Sequence, residues 1–167
     1  MLKLAQETDQ DWWEVEALFD LCFAPGREAL SSYRLRDGVN AVADLSLVAR
    51  DEQDILAGAI RFWPVYVGSH ACLLLGPVAV HPTHQGEGVG GLLIAESLDR
   101  AQKLNWARVM LVGDAPYYSR FGFEPLQGVT MPPPTNPARV LGYNLVDDAW
   151  AQVKGDVRSF ADSGAGA

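Results

Sequence analysis

Three glycines stand close together in the segment Gln85-Gly86-Glu87-Gly88-Val89-Gly90. They lie between an apolar run that reads as a buried strand and the best amphipathic helix in the chain. Glycine lets a backbone curl tightly and approach a ligand. The loop N–H groups and the first turn of the helix then point at one spot, which favours an anion by hydrogen bonding and by the helix dipole. A turn that merely caps the helix has the same spacing, but a strand before it and a helix after it point to phosphate. A Walker loop ends in Gly-Lys-Ser/Thr, whereas Gly90 is followed by Gly91-Leu92. The dinucleotide fingerprint fits better: Gly86, Gly88 and Gly91 match G-x-G-x-x-G, and Asp114 ends the next strand, where a ribose-binding acid can sit. Three features oppose it. Residues 81–85 separate the strand from the first glycine, a strand meander precedes the unit, and the chain after Asp114 is short for the remaining βαβ units.

Residues 75–92 resemble the acetyl-CoA-binding motif of the GNAT superfamily of N-acetyltransferases, with Gln/Arg-x-x-Gly-x-Gly/Ala falling on Gln85, Gly88 and Gly90. A second segment, Tyr117-Tyr118-Ser119-Arg120-Phe121-Gly122-Phe123, is similar to the aromatic stretch ending in Gly-Phe after the family's fifth strand. The resemblance implies acetyl-CoA as cofactor, its pyrophosphate on residues 85–90. It also implies a pantetheine arm laid along the fourth strand at Val78, Ala79 and Val80, whose N–H groups hold the thioester carbonyl. An amine then attacks directly in a ternary complex, which gains mainly from positioning. Tyr118 stands four residues before Gly122, as the family's general-acid tyrosine does, and a phenol stays protonated at neutral pH. The alternative is that Tyr118 only packs or contacts the coenzyme. Tyr117 reads as a ligand-wall or packing residue.

The chain departs from the family pattern in two places. The fourth strand carries Leu73, Leu74, Leu75 and Gly76 where many members have a basic carboxylate, and Gly113-Asp114 stands where many have Asn. His70, His81, His84 and Asp114 are candidate bases, each with a loop or capping role as the rival reading. Two functions compete after the nicotinamide enzyme is set aside. One is acetyl transfer to a small-molecule or protein amine. The other is a non-catalytic acyl-CoA-binding module, favoured by the missing carboxylate. Glu28, Arg34, Trp63 and Tyr66 are candidate acceptor-lining residues.

The elements that must position this loop follow from periodicity. Strands are expected over 2–5, 45–50, 55–67, 71–80, 108–112, 123–126 and 139–145, with a bulge or splay at Gly76-Pro77 because Pro cannot donate to a ladder. A helix capped by Asp9 is expected to run to Phe23, with Trp12, Val15, Leu18, Phe19 and Cys22 on its apolar face. Another short helix is expected over 28–36. The helix of residues 90–105 presents Leu92, Ala95, Leu98, Ala101 and Leu104, and a short helix covers 116–121. Residues 132–137 form an irregular loop, and the tail after 155 frays. The order is α+β (α/β three-layer), a central mixed, mostly antiparallel sheet flanked by helices, in a single domain over 1–167.

Length and composition agree with this. A chain of 167 residues, 49% hydrophobic and 20% charged, suits one globular domain. The net charge of −8 argues against nucleic acid and mildly favours a cationic acceptor by steering. Cys22 and Cys72 stand among apolar residues and read as small hydrophobes rather than a disulfide or metal site. No signal peptide or bilayer-spanning run is evident, so the expectation is a cytoplasmic protein, monomer or homodimer.

Overall fold

The computed structural model describes residues 2–23 and 35–162. Its strands are β1 (Lys3–Gln6), β2 (Leu47–Arg50), β3 (Leu56–Val67), β4 (His70–Val80), β5 (Arg108–Val112), β6 (Glu124–Pro125), β7 (Val129–Thr130), β8 (Val140–Asn144) and β9 (Gly155–Ser159). The α-helices are α1 (Trp12–Cys22), α2 (Val89–Lys103) and α3 (Ala115–Ser119). The sheet runs β1-β2-β3-β4-β5-β8-β6, with β9 on β3 and β7 on β9. Among the described residues, only β4–β5 and β7–β9 pair in parallel. The expected mixed, mostly antiparallel sheet is therefore present, with α1 and α2 packed on it through separate apolar clusters.

The bulge falls where Gly76-Pro77 required it. Ile60 pairs with Val78 but Phe62 pairs with Leu75, so Arg61 faces both residues. Gly76 is needed because the Trp63 ring covers it: a Cβ there would stand 2.7 Å from Trp63 Cζ3. Past the bulge β4 leaves β5. Their pairing is confined to Leu73–Val109 and Leu74–Met110, so among the described residues 75–80 have a strand partner on the β3 side only. Arg61 braces this point from the α1 face. Its guanidinium pairs with Glu7 at 2.7 Å and with Glu16 of α1, and all but a tenth of its side chain is buried.

α1 buries Val15, Leu18 and Phe19 against Val48, Leu56, Ala59 and Ala79, each large side chain contributing about 1.5–3 kcal/mol. The helix starts later than expected. Asp11, not Asp9, precedes its first residue, and the Asp11 carboxylate is turned to Thr8 and Arg50. Trp12 does not join the apolar face: it is 44% exposed and meets Trp13 edge-on, 4.9 Å between centroids.

The buried face of α2 also differs from the expected one. Val89, Leu93, Ile94, Ser97, Leu98 and Ala101 are buried, whereas Leu92, Ala95 and Leu104 are exposed. Apolar residues surround most of this helix, and packing selects the stripe. Val89 and Leu93 close on Gly58 of β3, where a Cβ would stand 2.8 Å from Val89 Cγ1.

The tail does not fray at 155. Gly155–Ser159 forms β9, pairing Val157 with Val67, Arg158 with Tyr66 and Ser159 with Val65. β2 pairs with β3 no further along than Ile60, so the outer half of β3 has a vacant edge for β9 to fill. Val157 and Ser159 alternate into the interior, and Phe160 stacks on Tyr66 at 4.2 Å. Of the helix expected over 28–36, residues 28–34 lie outside the described residues and 35–38 form a turn.

Candidate functional site

A cleft of about 690 Å³ opens where β4 parts from β5. Its floor is the edge strand Val78, Ala79 and Val80. His81 N–H bonds Ala57 O at 2.8 Å, so by antiparallel alternation Ala79 faces Ala59 in a hydrogen-bonded pair. Val78 and Val80 therefore direct their backbone groups away from β3, into the cleft. Val80 O is met there by the Cys22 thiol and the Gln85 amide, each at 3.4 Å.

One wall is the glycine loop. Pro82–His84 forms a 3₁₀ turn, capped by His81 through Thr83, that carries the chain from β4 to the loop. Gly86 and Gly88 then adopt φ of 86° and 79°, the left-handed region that side chains disfavour. Gly88 precedes α2, whose N-terminus has no side-chain cap and no acid in its first turn. The first N–H groups of a helix have no intrahelical partner, so α2 presents them with the positive end of its dipole to the cleft. Gly86, Gly88, Val89 and Gly90 all line it. This cradle fits a pyrophosphate: its donors are backbone N–H groups, and no side chain caps the start of the helix.

Glu87 is the exception within the loop. It is outside the cleft lining, and its carboxylate lies 2.8 Å from His84 Nδ1. His84 Nε2 in turn lies 3.1 Å from Asp51 Oδ2. The hydrogen bond to Glu87 above all, with that to Asp51, raises the His84 pKa above its ordinary 6.5.

The opposite wall is α3. Asp114 caps this helix, accepting from Tyr117 N–H at 3.1 Å, which is its role among the candidate bases. Tyr117 lines the cleft, with Arg120 and Phe121. Tyr118 turns elsewhere. Its ring covers Gly113, where a Cβ would stand 2.6 Å from Cε2, and it meets Tyr117 edge-on at 5.0 Å. Burial pushes the Tyr118 phenol up to about 12. Of the proposed acceptor residues, Trp63 is buried under Arg36 and bonded to Val39 O, Tyr66 packs on Phe160, and Glu28 and Arg34 lie outside the described residues.

Sequence reasoning passed over Arg120 and His84 as part of this cleft. Arg120 sits over the Tyr117 ring at 4.6 Å and brings a cation to the mouth of an anion site. The signal was a basic residue inside the aromatic motif. His84, a candidate base or loop residue by sequence, stands at the loop with Glu87 and Asp51 as its partners.

The geometry agrees with the comparisons. The family model described as an acetyltransferase (GNAT) domain matches residues 43–125. YhbS of Escherichia coli K12, named an uncharacterized N-acetyltransferase, is 34% identical over 112 residues. That alignment spans 66% of this chain and 66% of YhbS, just under two thirds of its length. The crystal structure of E. coli YhbS in complex with CoA superimposes with a TM-score of 0.80 at 30% identity, covering 95% of this chain and 89% of that one. A GNAT family acetyltransferase from Brucella melitensis, in complex with acetyl-CoA, gives a TM-score of 0.71 at 30% identity, covering 96% and 97%. The chain belongs to the GNAT family of N-acetyltransferases.

Proposed function

We propose that this chain, acting as a single domain, transfers an acetyl group from acetyl-CoA to a primary amine by direct attack in a ternary complex. The observation that carries the reading is the uncapped, glycine-cradled N-terminus of α2 beside the unpaired edge of β4. When bound, acetyl-CoA supplies an activated acetyl thioester. Val78 and Val80 offer backbone N–H groups along the cleft floor, suited to a carbonyl oxygen that gains charge. Gly88, Val89 and Gly90 hold the pyrophosphate, Gln85 and Gly86 shape the loop, and Tyr117 walls the cleft. Tyr118, assigned by its spacing before Gly122, keeps its proton at neutral pH; its ring packs over Gly113 and gives that proton to the departing sulfur by turning towards the cleft that Tyr117 lines. The relatives' coenzyme ligands support this choice of donor over a nicotinamide. So does the antiparallel sheet, which lacks the parallel order of dinucleotide folds.

Leu73, Leu74 and Leu75 are buried apolar residues where a base is usual, which favours a second reading, an acyl-CoA-binding module without turnover. Mixing the protein with acetyl-CoA and a panel of small amines and peptide N-termini, and following free thiol, separates the two. Acceptor-dependent thiol release supports transfer. Tight CoA binding with no release from any acceptor supports the module. Two free cysteines suit a reducing, cytoplasmic setting.

A further inference from the structure

We propose that His84, as an imidazolium, holds the Glu87 carboxylate out of the anion-binding loop and so sets how tightly that loop holds a pyrophosphate; this rests on the donor-site reading above. Glu87 stands between the two left-handed glycines. A carboxylate there opposes the anion that the loop and the α2 dipole attract. It is turned aside instead, to His84 Nδ1 at 2.8 Å, while Nε2 reaches Asp51 at 3.1 Å.

Ionised carboxylates only accept hydrogen bonds, and a neutral imidazole has one N–H to give. Both contacts are satisfied only by the doubly protonated ring. Asp51 is the fixed point. Its Oδ1 accepts from Gln53 N–H at 2.9 Å and Ile55 N–H at 3.0 Å, and these bonds, Ile55 first, hold its own pKa down. Asp51, His84 and Glu87 thus tie the loop to the β2–β3 turn. Among the described residues, the ionisable groups paired with His84 are these two carboxylates, with the Cys22 thiol and Arg120 lining the same cleft.

The sign follows. The folded pKa of His84 is raised, so the clamp is complete below the ordinary value of 6.5 and is lost as pH rises through the folded one. Above it, one ring nitrogen presents a lone pair to a carboxylate, and Glu87 is released beside the bound anion. Donor affinity falls on the alkaline side.

The test is calorimetry with CoA at constant ionic strength, from about pH 6 to about pH 9, on the wild type and Glu87→Gln. Ionisation of the CoA phosphates affects both proteins alike, so the readout is the ratio of their Kd values. It is expected near one at the acid end, rising to about threefold weaker binding by the wild type at the alkaline end. Proton resonances of the histidine rings, assigned with His84→Gln, supply a second readout. His84 titrates above 6.5 in the wild type and lower in both Glu87→Gln and Asp51→Asn. CoA binding with a flat ratio, or a His84 titration unmoved by both variants, overturns the proposal alone. No CoA binding by either protein at any pH overturns it together with the donor-site reading.

Discussion

The hydroxyl oxygen of Tyr117 lies 3.2 Å from the point where a Cβ on Gly90 would begin, with Val80 Cγ2 at 3.6 Å from the same point. Helix α2, helix α3 and strand β4 therefore meet at one residue with no room for a methyl group to spare. Gly90→Ala gains about 1 kcal/mol of helix propensity while pushing the Tyr117 ring into the cleft. The expected result is an unchanged or slightly raised melting temperature with CoA binding about tenfold weaker. Unchanged affinity would mean that the coenzyme does not pass this point.

Gly88 tests the loop differently. A Cβ there meets nothing within 4 Å, but the residue keeps a φ of 79°. Gly88→Val costs about 1–2 kcal/mol of backbone strain, or about 3–6 °C in a chain of this size. CoA binding should be lost while the fold survives. A lower melting temperature with normal CoA affinity would make the loop a structural turn.

Tyr118 and Tyr117 are neighbours with separable effects. Tyr118→Phe should lower kcat about a hundredfold, within the range of general-acid loss, and leave CoA affinity nearly intact. Tyr117→Phe should do the reverse. Since burial holds the Tyr118 phenol at about 12, no alkaline limb of the pH–rate profile below about pH 10 should vanish in Tyr118→Phe. Equal loss of turnover and affinity would make Tyr118 a binding residue.

Arg61 is the fourth test. It is bonded twice to Glu7, through Nε and Nη2, and its side chain and that of Glu7 are each 9% exposed. Breaking a buried pair from one side costs about 3–5 kcal/mol, because the partner charge is left uncompensated. Arg61→Ala should lower the melting temperature by on the order of 10 °C. It should also loosen the bulge facing Gly76-Pro77. Glu16→Gln should cost less, since Glu16 is 26% exposed. A wild-type melting curve for Arg61→Ala would remove the ion pairs from the account of how β4 is splayed.

What could be read before folding was whatever depends on local backbone chemistry. Gly76-Pro77 forces a bulge wherever the strand lies, and glycines before an amphipathic helix make an anion cradle on their own. The structure departs from the sequence expectation where tertiary contacts decide. Leu92 and Leu93 are equally apolar, and packing against the sheet, with Leu93 close on Gly58, selects Leu93. β9 is short, with a glycine and two charges in five residues, and it is a strand because β3 offers an empty edge. Tyr117 and Tyr118 are adjacent in sequence, but a helix sends them to different surroundings. Tyr117, read from the motif as a ligand-wall residue, lines the cleft, and Tyr118 packs over Gly113.

The measurement that tests the central claim most directly is calorimetric titration of the wild-type protein with acetyl-CoA, run beside NADH and repeated on Gly88→Val. Saturable binding of acetyl-CoA, no binding of NADH, and loss of the acetyl-CoA signal in a folded Gly88→Val are the predicted results. Ligand-induced stabilisation should follow the same order. Binding of NADH alone would contradict the account and return Gly86, Gly88 and Gly91 to a dinucleotide role.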